Sequence, residues 1–336
     1  MAPSDWFVGS AGDGQRLDNF LLRHCKGVPR SALYRLMRKR AVRVDGVRAK
    51  PDQRLETGQR VSLPGGVRQS DAVSSDPSPQ LLRAVSAAVS AETRDYLVVD
   101  KPAGLAVHGG SGVPYGVIEA LRVIREGLDD SLDLAHRIDR ETSGVLVVAR
   151  NRPALLHFQA ALKAPVFTAG AADSGIQKAY LALVLGEWRR EAVGDVESWL
   201  VTDSSTAVRR QLAFATEEEA RAASDAVVGT RPRLARSRFE CLERSRFASL
   251  VRVTIATGRM HQIRAQATAI GHPLVGDGLY GGAPAREFAT RIGLSRMFLH
   301  AQSLQFTDRH GEHCVFHAEL ASDLRKALES LATLRR

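Results

Sequence analysis

The apolar positions of this chain fall into three regimes. Between residues 14 and 64 they are sparse and periodic. Arg16 to His24 has the spacing of a short helix, and Leu33, Leu36 and Met37 recur at i, i+3 and i+4. That is the buried stripe of a second helix, with Ser31 as its expected cap. The stretch AVRVDGVRAK then switches to a period of two: Val42 and Val44 alternate with Arg43, and Asp45-Gly46 is a two-residue hairpin signal. RVSL is expected to close this module as a third strand. Residues 65–93 lose all periodicity, are rich in Ser, Gly, Asp and Ala, and read as a linker with at most a marginal helix around Leu81 to Ala91. From Tyr96 onward short strand-like runs (YLVV, VLVVA, AYLALVLG, SRFECLE, ASLVRVTIA, LQFTD) alternate with helical segments to about residue 320. Several runs follow one another too closely for βαβ crossovers, which predicts an α+β fold with a mixed, mostly antiparallel sheet over 94–330. Two stretches, 164–176 and 203–235, are expected to be insertions or surface loops.

Charge sharpens this division. The 336 residues carry a formal net charge of +10, which favours a polyanionic partner. Residues 16–60 hold thirteen Lys and Arg against four Asp and Glu, so this short module carries nine of the ten excess charges. Like charges repel by roughly 1 kcal/mol per close pair even in water. Nine unbalanced charges in so small a unit therefore point to a polyanion that offsets them, and phosphate contacts would do so. Arg16, Arg30, Arg35, Arg38, Lys39 and Arg43 are the candidate contacts. A DNA-binding helix-turn-helix competes with an RNA-binding reading, but the basic hairpin directly after the second helix favours RNA. Cys25, Cys241 and Cys314 are few and far apart, as expected in a reducing compartment. The N-terminus has no apolar run after a basic start, and no segment approaches the ~20 apolar residues of a membrane span. A cytoplasmic protein is expected.

Four stretches carry candidate chemistry. In LAHRIDRETSGVLVVAR, Arg137, Asp139, Arg140 and Glu141 crowd against a buried strand beginning near Val145. Asp139 could simply cap the turn, with Thr142 and Ser143 satisfying loose backbone groups. Alternatively Arg137 and Asp139, two apart on extended chain, project to one side; the cation keeps the carboxylate ionised, and a partly desolvated carboxylate is a nucleophile or base. In KAYLALVLGEW, Tyr180 shares a strand face with Ala182 and Val184 and is either ordinary core or a flat wall for a planar ligand. In TIATGRMHQIRAQATAIGHP a strand ends at Thr257-Gly258 and a helix follows, with His261 and Arg264 at i, i+3 and Arg259 near its start. Arg264 fits a buried ion pair, a carboxylate-orienting role, or both. In RMFLHAQSLQF, Leu299 precedes another strand and reads as core. HGGSG (108–112) is discounted as a hydrolase loop because no GxSxG follows. No His, Cys or Asp set has metal-ligand spacing.

HRIDRETSG, KAYLALVLG, GRMHQIR and FLHA, in this order, closely resemble the motifs of RNA pseudouridine synthases of the large-subunit ribosomal type. RLDNFLL and VRVDGVRAKP ahead of them resemble an S4 RNA-binding domain. The resemblance implies an S4-like domain over 14–64, a linker over 65–93, and a catalytic domain over 94–330 with a central RNA-binding cleft. It implies that Asp139 is the catalytic aspartate, that Tyr180 stacks on the target uracil, and that Arg264 pairs with Asp139. Leu299 would pack under the base, and Arg137 would enter the RNA where the flipped base had been. The implied partner is large-subunit ribosomal RNA or a pre-ribosomal particle, met by a monomer without cofactor. Ile138 stands where leucine is common in the family and Met260 where threonine is. A non-catalytic RNA-binding or ribosome-assembly factor of the same fold and a nucleic-acid glycosylase remain as alternatives.

Overall fold

The computed structural model describes residues 5–9, 12–25, 28, 30–64, 77–110, 113–126, 131–164, 166, 175–203, 208–225 and 231–334, and the chain divides into two units at Ser78/Pro79.

The first unit orders β1 (Asp5–Phe7), α1 (Leu17–His24), α2 (Arg30–Arg38), β2 (Arg43–Val44), β3 (Val47–Arg48) and β4 (Arg60–Ser62). Its strands form one antiparallel sheet in the order β1-β4-β2-β3. Leu17, Phe20 and Leu21 of α1 meet Leu33 and Met37 of α2 over Val42, Val44, Leu55 and Val61. This is the apolar stripe read from the sequence, and it leaves Arg35, Arg38 and Lys39 exposed. Asp45 and Gly46 both adopt positive φ (50° and 77°), the backbone of a tight hairpin turn, and Asp45 Oδ1 accepts the Arg60 N–H at 2.7 Å. Two details differ from expectation. Helix α2 already begins at Arg30, so Ser31 lies inside the helix and is not its cap. Strand β1 completes the sheet through a three-residue pairing on β4, too short for a pattern of two to register.

The second unit begins earlier than the linker reading allows. Residues 65–76 lie outside the described residues, but α3 (Pro79–Ala88) and β5 (Val89–Glu92) are built into the fold. Val85 is fully buried and β5 pairs β6 (Tyr96–Lys101), so burial against a partner element decided what weak local propensity left open. There follow α4 (Val117–Ile124), β7 (Asp133–Leu134), β8 (Ser143–Ala149), α5 (Arg152–Ala161), β9 (Gln177–Leu185), β10 (Val193–Asp203), β11 (Arg210–Phe214) and α6 (Glu217–Asp225). The chain continues through β12 (Arg233–Glu243), β13 (Ala248–Ile255), α7 (Gln262–Ala269), α8 (Gly282–Arg291), β14 (Leu299–Thr307), β15 (His313–His317) and α9 (Ser322–Thr333). One eleven-stranded sheet runs β11-β10-β12-β13-β9-β14-β8-β6-β5, with β7 on β8 and β15 on β14. All its pairings are antiparallel except β14 with β8. Of the two stretches read as loops, 203–235 instead contains β11 and α6. Charge and alanine hid them: α6 buries only Ala220 and Ser224, and β11 is an edge strand. Most of 164–176 lies outside the described residues.

Around β8 both faces of the sheet are covered, so β8 is buried along its whole length and is apolar from Val145 to Ala149 without alternation. Helices α3, α4 and α7 cover one face through Val85, Leu121 and Ile263, and α5 covers the other through Ala154 and Phe158. Strand β14 is the joint of the sheet: His300 and Ala301 lie beside β8, and Ser303 to Thr307 lie beside β15. Gly144 makes that joint possible. Its φ is 105°, and a Cβ there would overlap the Ala301 carbonyl. Since Ala301 also pairs with Tyr180 on its other side, this close approach sets the start of β8 level with Tyr180 of β9, across β14. Among the described residues, no helix is long and apolar enough to cross a membrane.

Candidate active site

Asp139 lies in the short segment between β7 and β8. Ile138 is buried and anchors it, while Arg137 is exposed and Asp139 half-buried. The Thr142 N–H donates to the Asp139 carbonyl at 3.1 Å, closing a turn that leads into β8. Fully buried Lys101 fixes that turn from below, its Nζ donating to the carbonyls of Arg140, Pro102 and Leu105 at 2.9 Å each. Arg140 donates in return to the Gly104 carbonyl at 2.8 Å.

The carboxylate faces a cavity of about 440 Å³ that Arg137, Tyr180, Arg264 and Leu299 also line. Four distant chain segments thus bring all five residues singled out from the sequence to one place. Arg264 Nη1 donates to Asp139 Oδ2 at 3.3 Å. The same guanidinium forks onto Asp277, Nε to Oδ2 at 2.7 Å and Nη2 to Oδ1 at 2.9 Å. Asp277 is fully buried and accepts the N–H groups of Leu279 and Tyr280 as well, both at 3.1 Å. Burial alone would lower the proton affinity of Arg264, but the bonds and charge of Asp277, with the charge of Asp139, more than offset it and the net shift is upward. The guanidinium also stacks 4.9 Å above the Tyr280 ring. A cation held by Asp277 along one edge and by Tyr280 on one face presents its remaining edge to Asp139.

His261 differs from expectation. It is the N-cap of α7, with a left-handed φ of 51°, and not a residue of its first turn. That conformation puts Nε2 3.9 Å from Asp139 Oδ2 and Nδ1 3.1 Å from the Tyr280 hydroxyl. Burial lowers its proton affinity, outweighing the Asp139 charge. Helix α7 is held by two buried glutamines. Gln262 Oε1 accepts from Thr257 Oγ1 at 2.7 Å, and Gln266 Nε2 donates to the Val196 and Ala235 carbonyls at 3.1 and 3.2 Å.

Tyr180 and Leu299 form the apolar walls, 7% and 4% exposed. Burial, reinforced by the Asp139 charge, raises the Tyr180 phenol well above its usual range. Arg209, Arg231, Arg233 and Arg259 line the cavity from exposed positions, three of them from the stretch read as a loop.

The chain has known relatives. Residues 95–269 match the family of RNA pseudouridylate synthases, and residues 15–61 match the S4 domain family. Over 344 residues the chain is 39% identical to ribosomal large subunit pseudouridine synthase C of Escherichia coli (strain K12), covering 99% of this chain and 98% of that one. The chain belongs to the RNA pseudouridylate synthase family. The protein of the same name from Vibrio vulnificus (strain CMCP6) is 35% identical over 325 residues, covering 96% and 94% of the two chains. The fold of this synthase is that of human RNA pseudouridylate synthase domain containing 4 (TM-score 0.57, 19% identity, 75% of this chain and 96% of that one). Human RNA pseudouridylate synthase domain containing 1 superposes with a TM-score of 0.52 at 24% identity, covering 73% and 92%.

In the S4 unit of the synthase the expected basic contacts divide. Arg35, Arg38 and Lys39 are exposed along α2 beside exposed Tyr34. Arg43 is exposed but donates to the Gly46 carbonyl of its own hairpin at 2.7 Å. Arg16 is half-buried and ion-paired to Asp18 at 2.7 Å, so it braces the start of α1. The Arg30 side chain lies outside the described residues. In the larger unit Asp95, Asp308 and His310 approach within 4.8 Å, but Arg309 and Asn151 already bond both Asp95 oxygens. That cluster is an ion-pair lock between β6 and the β14–β15 turn.

Sequence reasoning missed Asp277, Tyr280 and the arginines around 203–235. VGDGLY carries no periodic signal, and an acid beside two glycines reads as a turn. Only the fold brings it under Arg264.

Proposed function

We propose that this synthase isomerises selected uridines of large-subunit ribosomal RNA to pseudouridine, with Asp139 as the catalytic carboxylate. The reaction breaks N1–C1′, turns the base, and joins C5 to C1′; C5 loses a proton and N1 regains one, so nothing is left over. The observation that carries this reading is the carboxylate of Asp139, open to a cavity on one side and held on the other by a guanidinium locked on Asp277. It is paired with a cation and opens on the cavity that would take the sugar edge.

A stacked base has to be extruded first. Arg137, exposed beside Asp139, fills the gap left in the RNA, since its guanidinium plane stacks and bonds phosphate. Tyr180 and Leu299 sandwich the extruded ring. Asp139 then acts at the sugar, on C1′ as nucleophile or on the C2′ proton as base. The exposed arginines 209, 231, 233 and 259 take the flanking phosphates, and Arg35, Arg38 and Lys39 of the S4 unit add affinity that does not depend on sequence. The working unit in this reading is a monomer. The substrate is free ribosomal RNA or an assembling particle in the cytoplasm.

Ribosomal RNA labelled with [5-³H]uridine tests the proposal. Wild-type protein releases tritium and leaves the chain intact, and Asp139→Asn releases none while binding RNA as before. Activity retained by Asp139→Asn rejects the assignment; abasic sites in place of released tritium would mean a glycosylase.

A further inference from the structure

Lys178 is a further charged group lining the cavity; it opens the KAYLALVLG stretch, but the ion-pair network around Asp139 does not use it. It lies on β9 two residues before Tyr180 and points to the same side. It is 7% exposed, and no carboxylate or other partner bonds its Nζ among the described residues. Gly258, which also lines the cavity, is kept free of a side chain there: a Cβ at 258 would stand 3.2 Å from Lys178 Nζ. An unpaired buried ammonium is costly, and folded proteins keep one where something pairs with it in use.

We propose that Lys178 is a catalytic residue whose ammonium hydrogen-bonds a carbonyl oxygen of the extruded uracil and stabilises the negative charge the base carries once N1–C1′ has broken. This rests on the isomerase reading above. When that bond breaks, its electron pair stays on the base and spreads over N1, O2 and O4. C5 then bonds C1′, displacing Asp139 where it holds C1′ or taking the C2′ proton back from it where it acted as base; the C5 proton passes to water and N1 takes one up, while Lys178 neither gains nor loses one. The charge needs a counterion, because Asp139 already places one negative charge in the cavity. Arg264 is committed to Asp277 and Asp139, and Arg137, Arg209, Arg231, Arg233 and Arg259 are exposed. Lys178 is the buried cation left. An RNA phosphate could supply the same anionic oxygen. The burial of Lys178 against Tyr180 and Ile255 favours the flat, weakly hydrated base, since phosphates stay with the solvated arginines. Burial also pushes the amine down to about 8, so it is still protonated at neutral pH and binds a developing anion strongly.

The test is single-turnover tritium release by the full-length protein with saturating enzyme, alongside RNA affinity and Tm. Lys178→Met, which keeps the length of the side chain and removes the charge, is expected to slow release by about 100- to 1000-fold. RNA affinity should change less than about threefold and Tm should not fall. Gly258→Ala, which pushes on Nζ and keeps the charge, should slow release by about tenfold at unchanged affinity. Wild-type rates in both variants overturn the proposal. So does a loss of RNA affinity that saturating enzyme restores, which would make Lys178 a phosphate contact, or a lowered Tm with an unchanged rate, which would make it structural. Should Lys178→Met fail to fold, Gly258→Ala decides alone. Wild-type protein that releases no tritium overturns the isomerase reading itself.

Discussion

Asp277 is the acid on which the geometry of Asp139 depends, although it never faces the substrate. Asp277→Asn keeps the shape of the side chain and removes its charge. Arg264 then loses one arm of a fork made at 2.7 and 2.9 Å, because an amide offers one acceptor oxygen where the carboxylate offered two. Removing one partner of a buried ion pair costs about 3–5 kcal/mol when the other charge is left uncompensated. Here Asp139 still stands 3.3 Å from Arg264 and the Arg264 side chain keeps 13% exposure, which brings the figure to about 2–3 kcal/mol. At about 2–4 °C per kcal/mol for a domain of this size, Tm of the larger unit should fall by about 4–12 °C. Arg264 is then free to swing toward Asp139, and single-turnover release should drop by about 10- to 100-fold with RNA affinity kept. Asp139→Asn is the counterpart. It leaves the Arg264–Asp277 fork intact, so activity should vanish while Tm moves by no more than about 2 °C. Calorimetry and tritium release on both variants check the pair. A wild-type Tm for Asp277→Asn, or an equal loss of Tm in the two variants, would refute the reasoning.

His136 should make the fold acid-sensitive. Its Nε2 accepts the Val147 N–H at 3.0 Å, and burial pushes its proton affinity down to about 3 from the ordinary 6.5. Between these values the unfolded chain binds the proton and the native chain does not. Stability is therefore full above pH 6.5 and is lost as pH falls toward 3, by about 2 kcal/mol at pH 5. His136→Gln, which keeps an acceptor, should flatten Tm against pH across that window, and an unchanged slope would sink the claim. Replacing Arg35, Arg38 and Lys39 together by Ala should weaken RNA binding and lower the slope of log affinity against log salt by up to about 0.7–0.9 per lost contact, with single-turnover release at saturation unchanged. Arg233→Ala and Arg209→Ala should raise the RNA dissociation constant by about 3- to 10-fold each and leave that same rate unaltered.

The sequence by itself determined several elements whose information is local. Val145 to Ala149 could only be a strand buried on both faces, Leu33 and Met37 only the inner stripe of a helix, and Asp45-Gly46 only a tight turn, because periodicity and allowed φ are properties of neighbours along the chain. The charge excess of 16–60 and the order of four motifs likewise pointed to an RNA-modifying synthase. Tertiary structure decided what depends on residues far apart. Pro79–Glu92 carries too little local signal to be more than a linker until β6 offers a partner, and Arg210–Asp225 too little until β10 does. His261 takes a left-handed backbone because the fold fixes both sides of it, and Asp277 becomes the anchor of Arg264 only when the start of α7 and the turn after Leu274 close on the same point. The side chains were written in the sequence, but burial created their pairings: an acid and a guanidinium lock together only after folding has taken the water from between them.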